Sequence, residues 1–484
     1  MQAEKGLSVW QLTMMALGTV IGGSFFLGSA VAINAAGPAI IISFLLGGAL
    51  VYIVLFALSE MTVADPAPGS FRTYAERYYG PAAGFIMGWV YWTGLVLAMS
   101  SEATAVSIFL RNWVPDLSLP LIGSLIIIFV SLLNLLGAER LSHLESGLAV
   151  VKLLAIVGFI IIGLALIGGF ISGVPRIGAG ELLTEPFFPG GLGGIAGSML
   201  IVMFTYAGFE IIGLAASETK DPHRTVPQAI RITVASLIGL YVIAIVVLLP
   251  LIPTGTLSSE VSPLVQSLAR WRLTWVGNVV NTVLITAILS TMLAAMFGLG
   301  RMIRSLAWEG HAPAWLRDQG EIPYRGILFS GVGMLLGLGL GLILPQQVYL
   351  FLVSAGGFSL LLAYVVILAS HYKFRKLHGC PNGHCQLPGY PVTSWIGLAG
   401  LIAIIISMPL VPGQGAGLVA GLVLLAFFAI VYQVKRQIGS RVLPRRTGKV
   451  PLPLVDQAQF ELAEELSGDE VKLPEKKSRT KEEI

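Results

Sequence analysis

Charge is what this chain has least of. Only 12% of its 484 residues are Asp, Glu, Lys or Arg, against 55% hydrophobic ones. A soluble chain of this length needs far more charge to cover its surface, so an ordinary set of soluble domains is excluded. Cysteine occurs twice, which rules out a disulfide-built scaffold. Histidine occurs six times, with none expected deep within an apolar run. No HExxH or GxSxG is present, so neither zinc- nor serine-type hydrolysis is expected. The sequence is read as no enzyme, with no catalytic residue, no metal and no cofactor.

Long apolar runs are abundant instead. Residues 121–136, 153–170 and 237–252 carry no charge at all. A membrane-spanning helix needs about 20 mostly apolar residues. At that scale roughly twelve spans are expected, beginning near residues 10, 39, 83, 119, 145, 194, 231, 273, 328, 347, 393 and 415. Lys5 is the one basic residue before the first run, which is long and lacks a clear small-residue cleavage site. It is therefore read as a span rather than a signal peptide. The expected fold is an all-α polytopic membrane protein, with a transporter domain over 1–440 and a charged tail over 441–484.

The net charge of +4 matters less than its placement. With alternate connections assigned to opposite sides, one side collects Arg72, Arg77, Lys220, Arg224, Arg301 and Arg304. It also takes Lys435, Arg436 and Arg441 after the last span. The other side has Arg111, Arg176, Arg270 and Arg272. That asymmetry assigns both termini to the cytoplasm and makes a nucleic-acid partner unnecessary; the lipid bilayer is the implied surroundings. Both cysteines, Cys380 and Cys385, fall in a cytoplasmic, turn-rich loop. A reducing compartment argues against a disulfide there, and the spacing fits no standard zinc finger. From about Pro451 the chain turns acidic and polar, as in a solvated tail.

Two spans hold glycine clusters. The first contains Gly18-Thr-Val-Ile-Gly22-Gly23-Ser24-Phe-Phe-Leu-Gly28-Ser29, the sixth Phe204-Thr205-Tyr206-Ala207-Gly208-Phe209-Glu210. One such cluster reads as close helix packing. Two, five spans apart, fit inverted five-span repeats over about 10–170 and 194–371, each opening on a discontinuous helix. Spans over about 393–438 are then accessory. A half-helix N-terminus offers unpaired N–H groups to a carboxylate, and unwound carbonyls accept from an ammonium. An α-amino acid carries both groups.

At these residues the sequence resembles the amino-acid permeases of the APC superfamily, in their bacterial branch, which share the LeuT-type fold. The resemblance covers about residues 8–440. The first-span pattern Gly-x-x-Ile-Gly-Thr/Ser-Gly-x-Phe stands here as Gly18-Thr-Val-Ile21-Gly22-Gly23-Ser24-Phe25-Phe26, with the last small pair reversed. Ala57-Leu-Ser-Glu60, Gly69-Ser-Phe-Arg-Thr-Tyr74, Gly88-Trp-Val-Tyr-Trp92 and Ser101-Glu102-Ala-Thr-Ala-Val106 follow it. So does the run from Tyr206-Ala-Gly-Phe-Glu210 through Glu218-Thr-Lys-Asp-Pro222 to Pro227. The resemblance implies uptake across the plasma membrane. It places the substrate carboxylate on first-span backbone at Val20, Ile21, Gly22, Gly23 and Ser24. It places the amino group on sixth-span backbone at Phe204, Thr205, Tyr206 and Ala207.

Three charges are expected inside the membrane, where ionisable groups are costly. Lys152, two turns into the fifth span, either snorkels or stands within the fold. It matches a fifth-span lysine of proton-coupled relatives, which implies a proton gradient as the energy source and makes Ser290 and Thr291 its polar neighbours. Glu102 and Glu210 read either as caps for freed backbone or as gating and proton-relay groups. Functional duty is favoured for Glu102, since no nearby helix break needs repair. Glu60, Glu145 and Glu218 fall near span ends and are read as solvated or as a cytoplasmic gate. Met292, Leu293 and Met296 in span eight favour an apolar substrate side chain if that face reaches the pocket. The expectation is a proton-coupled symporter of neutral amino acids. An exchanger of amino acids or amines, and a sensor that scarcely transports, remain as rivals; an accessory subunit is left open.

Overall fold

The computed structural model describes residues 8–442, apart from 66, 68, 112, 215–218, 220, 259, 321, 341–347 and 381–386. Side chains at 138–146, 211, 214, 274, 348 and 438–442 are outside this description. Glu145 and Glu218 therefore lie outside the described side chains, as do Cys385 and the acidic tail.

Helices dominate, and no strand occurs among the described residues. In chain order they are α1 Val9–Val20, α2 Ser29–Ala36, α3 Ile40–Ala64, α4 Phe71–Tyr79, α5 Pro81–Leu110, α6 Leu119–Asn134, α7 Ala138–Gly168 and α8 Gly191–Thr205. There follow α9 Ile211–Leu214, α10 Pro222–Leu248, α11 Pro263–Arg270, α12 Thr274–Trp308, α13 Tyr324–Gly339, α14 Val348–His378, α15 Val392–Ser407 and α16 Gly415–Val442. Among the described residues, eight segments are long and apolar enough to cross a membrane, and four shorter apolar helices join them. The protein is a polytopic membrane protein, as its composition requires. The chain divides into two compact units, 1–432 and 433–484.

Local chemistry sets the helix ends. Ser8 opens α1 with a capping box: Gln11 N–H donates to its hydroxyl, and its own N–H donates to Gln11 Oε1. Proline stands in the first turns of α5, α6, α10 and α11, where a missing N–H costs nothing. The left-handed Gly169 ends α7. Two helices begin well before their apolar runs, α7 near 138 rather than 145 and α10 at Pro222 rather than 231. Their first turns are polar and extend past the apolar core, which hydropathy cannot register.

The two discontinuities fall within the glycine clusters. Between α1 and α2 the backbone leaves α geometry at Ile21, then winds a π turn over Ser24–Gly28. Between α8 and α9 it passes through turns over 206–210, with Gly208 at φ +105°. That dihedral favours glycine, and a Cβ at Gly208 would lie 2.9 Å from the Thr19 carbonyl oxygen. α1 packs on α7, α9, α10 and α12, and α2 lies along α8. The two breaks thus meet, and the Thr19 hydroxyl donates to Gly208 O at 3.1 Å.

Candidate functional site

The first-helix break exposes backbone groups of both signs, and three distant helices supply their partners. α5 contributes Glu102, which is buried. Its Oε2 accepts from Gly23 N–H at 2.7 Å and its Oε1 from Ser24 N–H at 3.2 Å. One carboxylate thus closes both donors. The expectation that no break lay near Glu102 is corrected: α5 is remote from α1 in sequence but adjacent at this point.

On the carbonyl side, α7 contributes Lys152, with no exposed surface. Its ammonium donates to Gly18 O at 2.5 Å and to Thr291 Oγ1 of α12 at 2.8 Å. The Thr291 hydroxyl lies 3.0 Å from Ile21 O and 3.2 Å from Ala287 O. Lys152 therefore does not snorkel; it pins α1 to α12 through an ammonium, a hydroxyl and two backbone carbonyls. Ser290 is buried beside Thr291 in sequence.

Glycine leaves room where these groups crowd in. A Cβ at Gly23 would sit 2.5 Å from Glu102 Oε2 and 3.1 Å from Ile288 Cδ1. One at Gly22 would sit 3.2 Å from Thr291 Oγ1. Val20, Ile21 and Ser24 are buried around them.

The sixth-helix break has its own carboxylate. Glu210 Oε2 accepts from Gly208 N–H at 3.1 Å and from the Tyr364 hydroxyl at 3.5 Å, while Tyr91 O–H donates to Oε1 at 2.5 Å. Glu210 caps freed backbone and gathers two tyrosines. Phe204, Thr205 and Tyr206 are buried and Ala207 is half-buried. Their carbonyls are partly engaged: Phe204 O accepts from Ala207 N–H, and Thr205 O from the Tyr241 hydroxyl at 3.2 Å. Tyr206 O–H donates to Phe44 O at 3.0 Å. Tyr241 stacks on Phe25 at 4.1 Å between centroids, which walls the junction of the two breaks with aromatic surface.

The chain matches the model of the amino acid permease family over residues 11–441. It belongs to that family. An amino acid permease of Bacillus subtilis (strain 168), YtnA, is 32% identical over 90% of this chain and 95% of its own length. A probable threonine/serine transporter of the same organism, YbxG, is 30% identical over 90% and 95%. The aromatic amino acid transport protein AroP of Escherichia coli (strain K12) is 30% identical over 91% and 97%. A crystal structure of a mutant manganese transporter from Eremococcus coleocola has the same fold. Its TM-score is 0.54 at 16% identity, covering 90% of this chain and 97% of that one.

Other features of this permease differ from sequence expectation or escaped it. Glu60 is fully buried rather than solvated. It lies 2.6 Å from His371 Nε2 and 3.2 Å from Arg375 Nε, and Leu387 N–H donates to it at 2.7 Å. The cause is the length of α14, which runs past its apolar stretch and brings His371 and Arg375 over the end of α3. His371 is itself fully buried inside a long helix, against the expectation of no deep histidine. Cys380 is disulfide-bonded, contrary to the expectation of reduced thiols. Ile288, Tyr91 and Tyr364 were not singled out. Ile288 precedes Thr291 by one helical turn, a spacing that could have flagged it, whereas Tyr364 had no local signal.

Among the described residues, Glu76, Glu309 and His311 bring potential ligand atoms within 4.8 Å of one another. Arg72 pairs with Glu76 at 3.4 Å and also with Glu309. Burial pushes the Glu76 carboxyl up while Arg72 opposes that rise. A guanidinium already supplies the positive charge, so the cluster is an ion-pair network linking α4 to the end of α12.

Proposed function

We propose that this permease imports neutral amino acids across the plasma membrane, driven by protons, with both termini in the cytoplasm. The observation that carries the reading is the Glu102 carboxylate seated on Gly23 and Ser24 N–H. A break that holds one carboxylate with two backbone donors suits the carboxylate of an amino acid. Proton binding at Glu102 neutralises it, and a neutral carboxyl is a weaker acceptor than a carboxylate. The two amides are then freed for the substrate. Lys152 keeps Gly18 O engaged and Thr291 keeps Ile21 O engaged meanwhile, so the break holds its shape as its occupant changes. Ile288, Phe25 and Tyr241 beside the break favour a side chain without charge. The threonine/serine and aromatic assignments of the relatives agree with that choice.

A second reading follows from the same contact. If Glu102 never leaves the amides, it is a fixed anion beside the site, and an amine without a carboxylate is the better cargo. The deciding experiment for transport is uptake of radiolabelled L-threonine and L-phenylalanine into liposomes, without sodium, under an inward pH gradient. Accumulation abolished by a protonophore supports the proposal. Strict sodium dependence, or flux only against a preloaded internal amino acid or amine, contradicts it.

A further inference from the structure

Tyr349 stands in the first turn of α14, against Gly28 of the first-helix break. Its side chain is 7% exposed, yet its hydroxyl has no hydrogen-bond partner among the described residues. The hydroxyl lies against Gly28, which ends the π turn: a Cβ at Gly28 would stand 3.2 Å from Tyr349 Oη and 3.3 Å from Ile201 Cγ2 of α8. The phenol thus points to where the broken first helix, α8 and α14 converge, four residues along the chain from Ser24.

The tyrosines around the sixth-helix break differ. Tyr206 donates to Phe44 O and Tyr241 to Thr205 O, so both hydroxyls are occupied by backbone. A buried hydroxyl left without a partner destabilises the fold, and phenylalanine would fill the same space without that penalty. The unpaired group is accounted for if its partner is present only in a loaded state.

We propose that Tyr349 is a substrate-positioning residue, whose hydroxyl hydrogen-bonds the bound amino acid at the Gly28 end of the first-helix break. This rests on the amino-acid reading above. The residue reads a polar group of the substrate and leaves the carboxylate to Gly23 and Ser24. Glycine at position 28 keeps the phenol within reach, since a methyl there would crowd the oxygen.

The test compares the full-length protein with Tyr349→Phe, Gly28→Ala and the double variant. Melting temperature is measured without ligand and against titrations of L-threonine and L-phenylalanine. Tyr349→Phe is expected to melt at or above the wild-type temperature without ligand, because it removes an unpaired polar atom. Its Kd for at least one of the two amino acids should rise fivefold or more. Gly28→Ala should weaken the same amino acid, and the double variant should be no weaker than Tyr349→Phe alone. A Kd within twofold of wild type in Tyr349→Phe overturns the proposal, as does full additivity in the double variant. A lower ligand-free melting temperature with unchanged Kd would mark the hydroxyl as structural and also overturn it. If the wild type binds neither amino acid, the amino-acid reading itself fails, and this inference falls with it.

Discussion

Glu102 Oε2 stands 2.7 Å from the Gly23 amide nitrogen, so a side-chain carboxylate occupies a backbone donor freed by the first-helix break. With Ser24 N–H on its other oxygen, Glu102 occupies both amide donors of the break, the two that the proposed function gives to the substrate. A glutamine is nearly isosteric but neutral. Glu102→Gln should therefore bind substrate at least as tightly as wild type, since a charge-assisted bond is roughly twice as strong as a neutral one. Accumulation under a pH gradient should fall at least tenfold. Binding by thermal shift, with uptake measured with and without the gradient, checks both halves; unchanged accumulation would remove Glu102 from the coupling step.

Lys152→Ala tests the other side of the break. Gly18 O and Thr291 lose their ammonium, and hydrogen bonds to a charged group are worth about 1.5–3 kcal/mol each. The variant should be less stable, should lose proton-driven accumulation and should keep at least part of its substrate binding. Liposome uptake beside a binding titration separates these effects. Uphill uptake at the wild-type level would exclude the lysine from coupling.

Size is critical at Gly23 and much less so at Ser24. Gly23→Val puts branched carbon where Glu102 Oε2 and Ile288 Cδ1 already stand, so binding of any amino acid should be lost. Ser24→Gly and Ser24→Ala keep the backbone N–H that Glu102 uses and should change Kd by less than about fivefold, under about 1 kcal/mol. A Ser24→Ala variant as damaged as Gly23→Val would mean that the hydroxyl, not the amide, is the contact.

The helices and both breaks were legible in the sequence for physical reasons. Apolar run length sets a span, and clustered glycine beside small polar residues marks where a helix can open. What occupies the breaks was not legible. Glu102 reaches Gly23 across 79 positions, and Thr291 reaches Ile21 across 270. Those contacts depend on which helices pack together, and hydropathy carries no such information. Lys152 was singled out by its cost in a membrane, but its carbonyl partner Gly18 could not be. Glu60 shows the opposite failure. A charge near a span end reads as solvated, and only the extension of α14 over it reveals a buried cluster with His371 and Arg375.

The central claim is that the Gly23 and Ser24 amides exchange Glu102 for a substrate carboxylate. Its most direct test is one titration: the wild-type affinity for an amino acid that binds, set beside its decarboxylated amine under identical conditions. Without a carboxylate the amine cannot replace Glu102, and the account predicts at least tenfold weaker binding, about 1.4 kcal/mol or more. Equal affinity, or tighter binding of the amine, would contradict it and would make Glu102 a fixed anion serving an amine carrier.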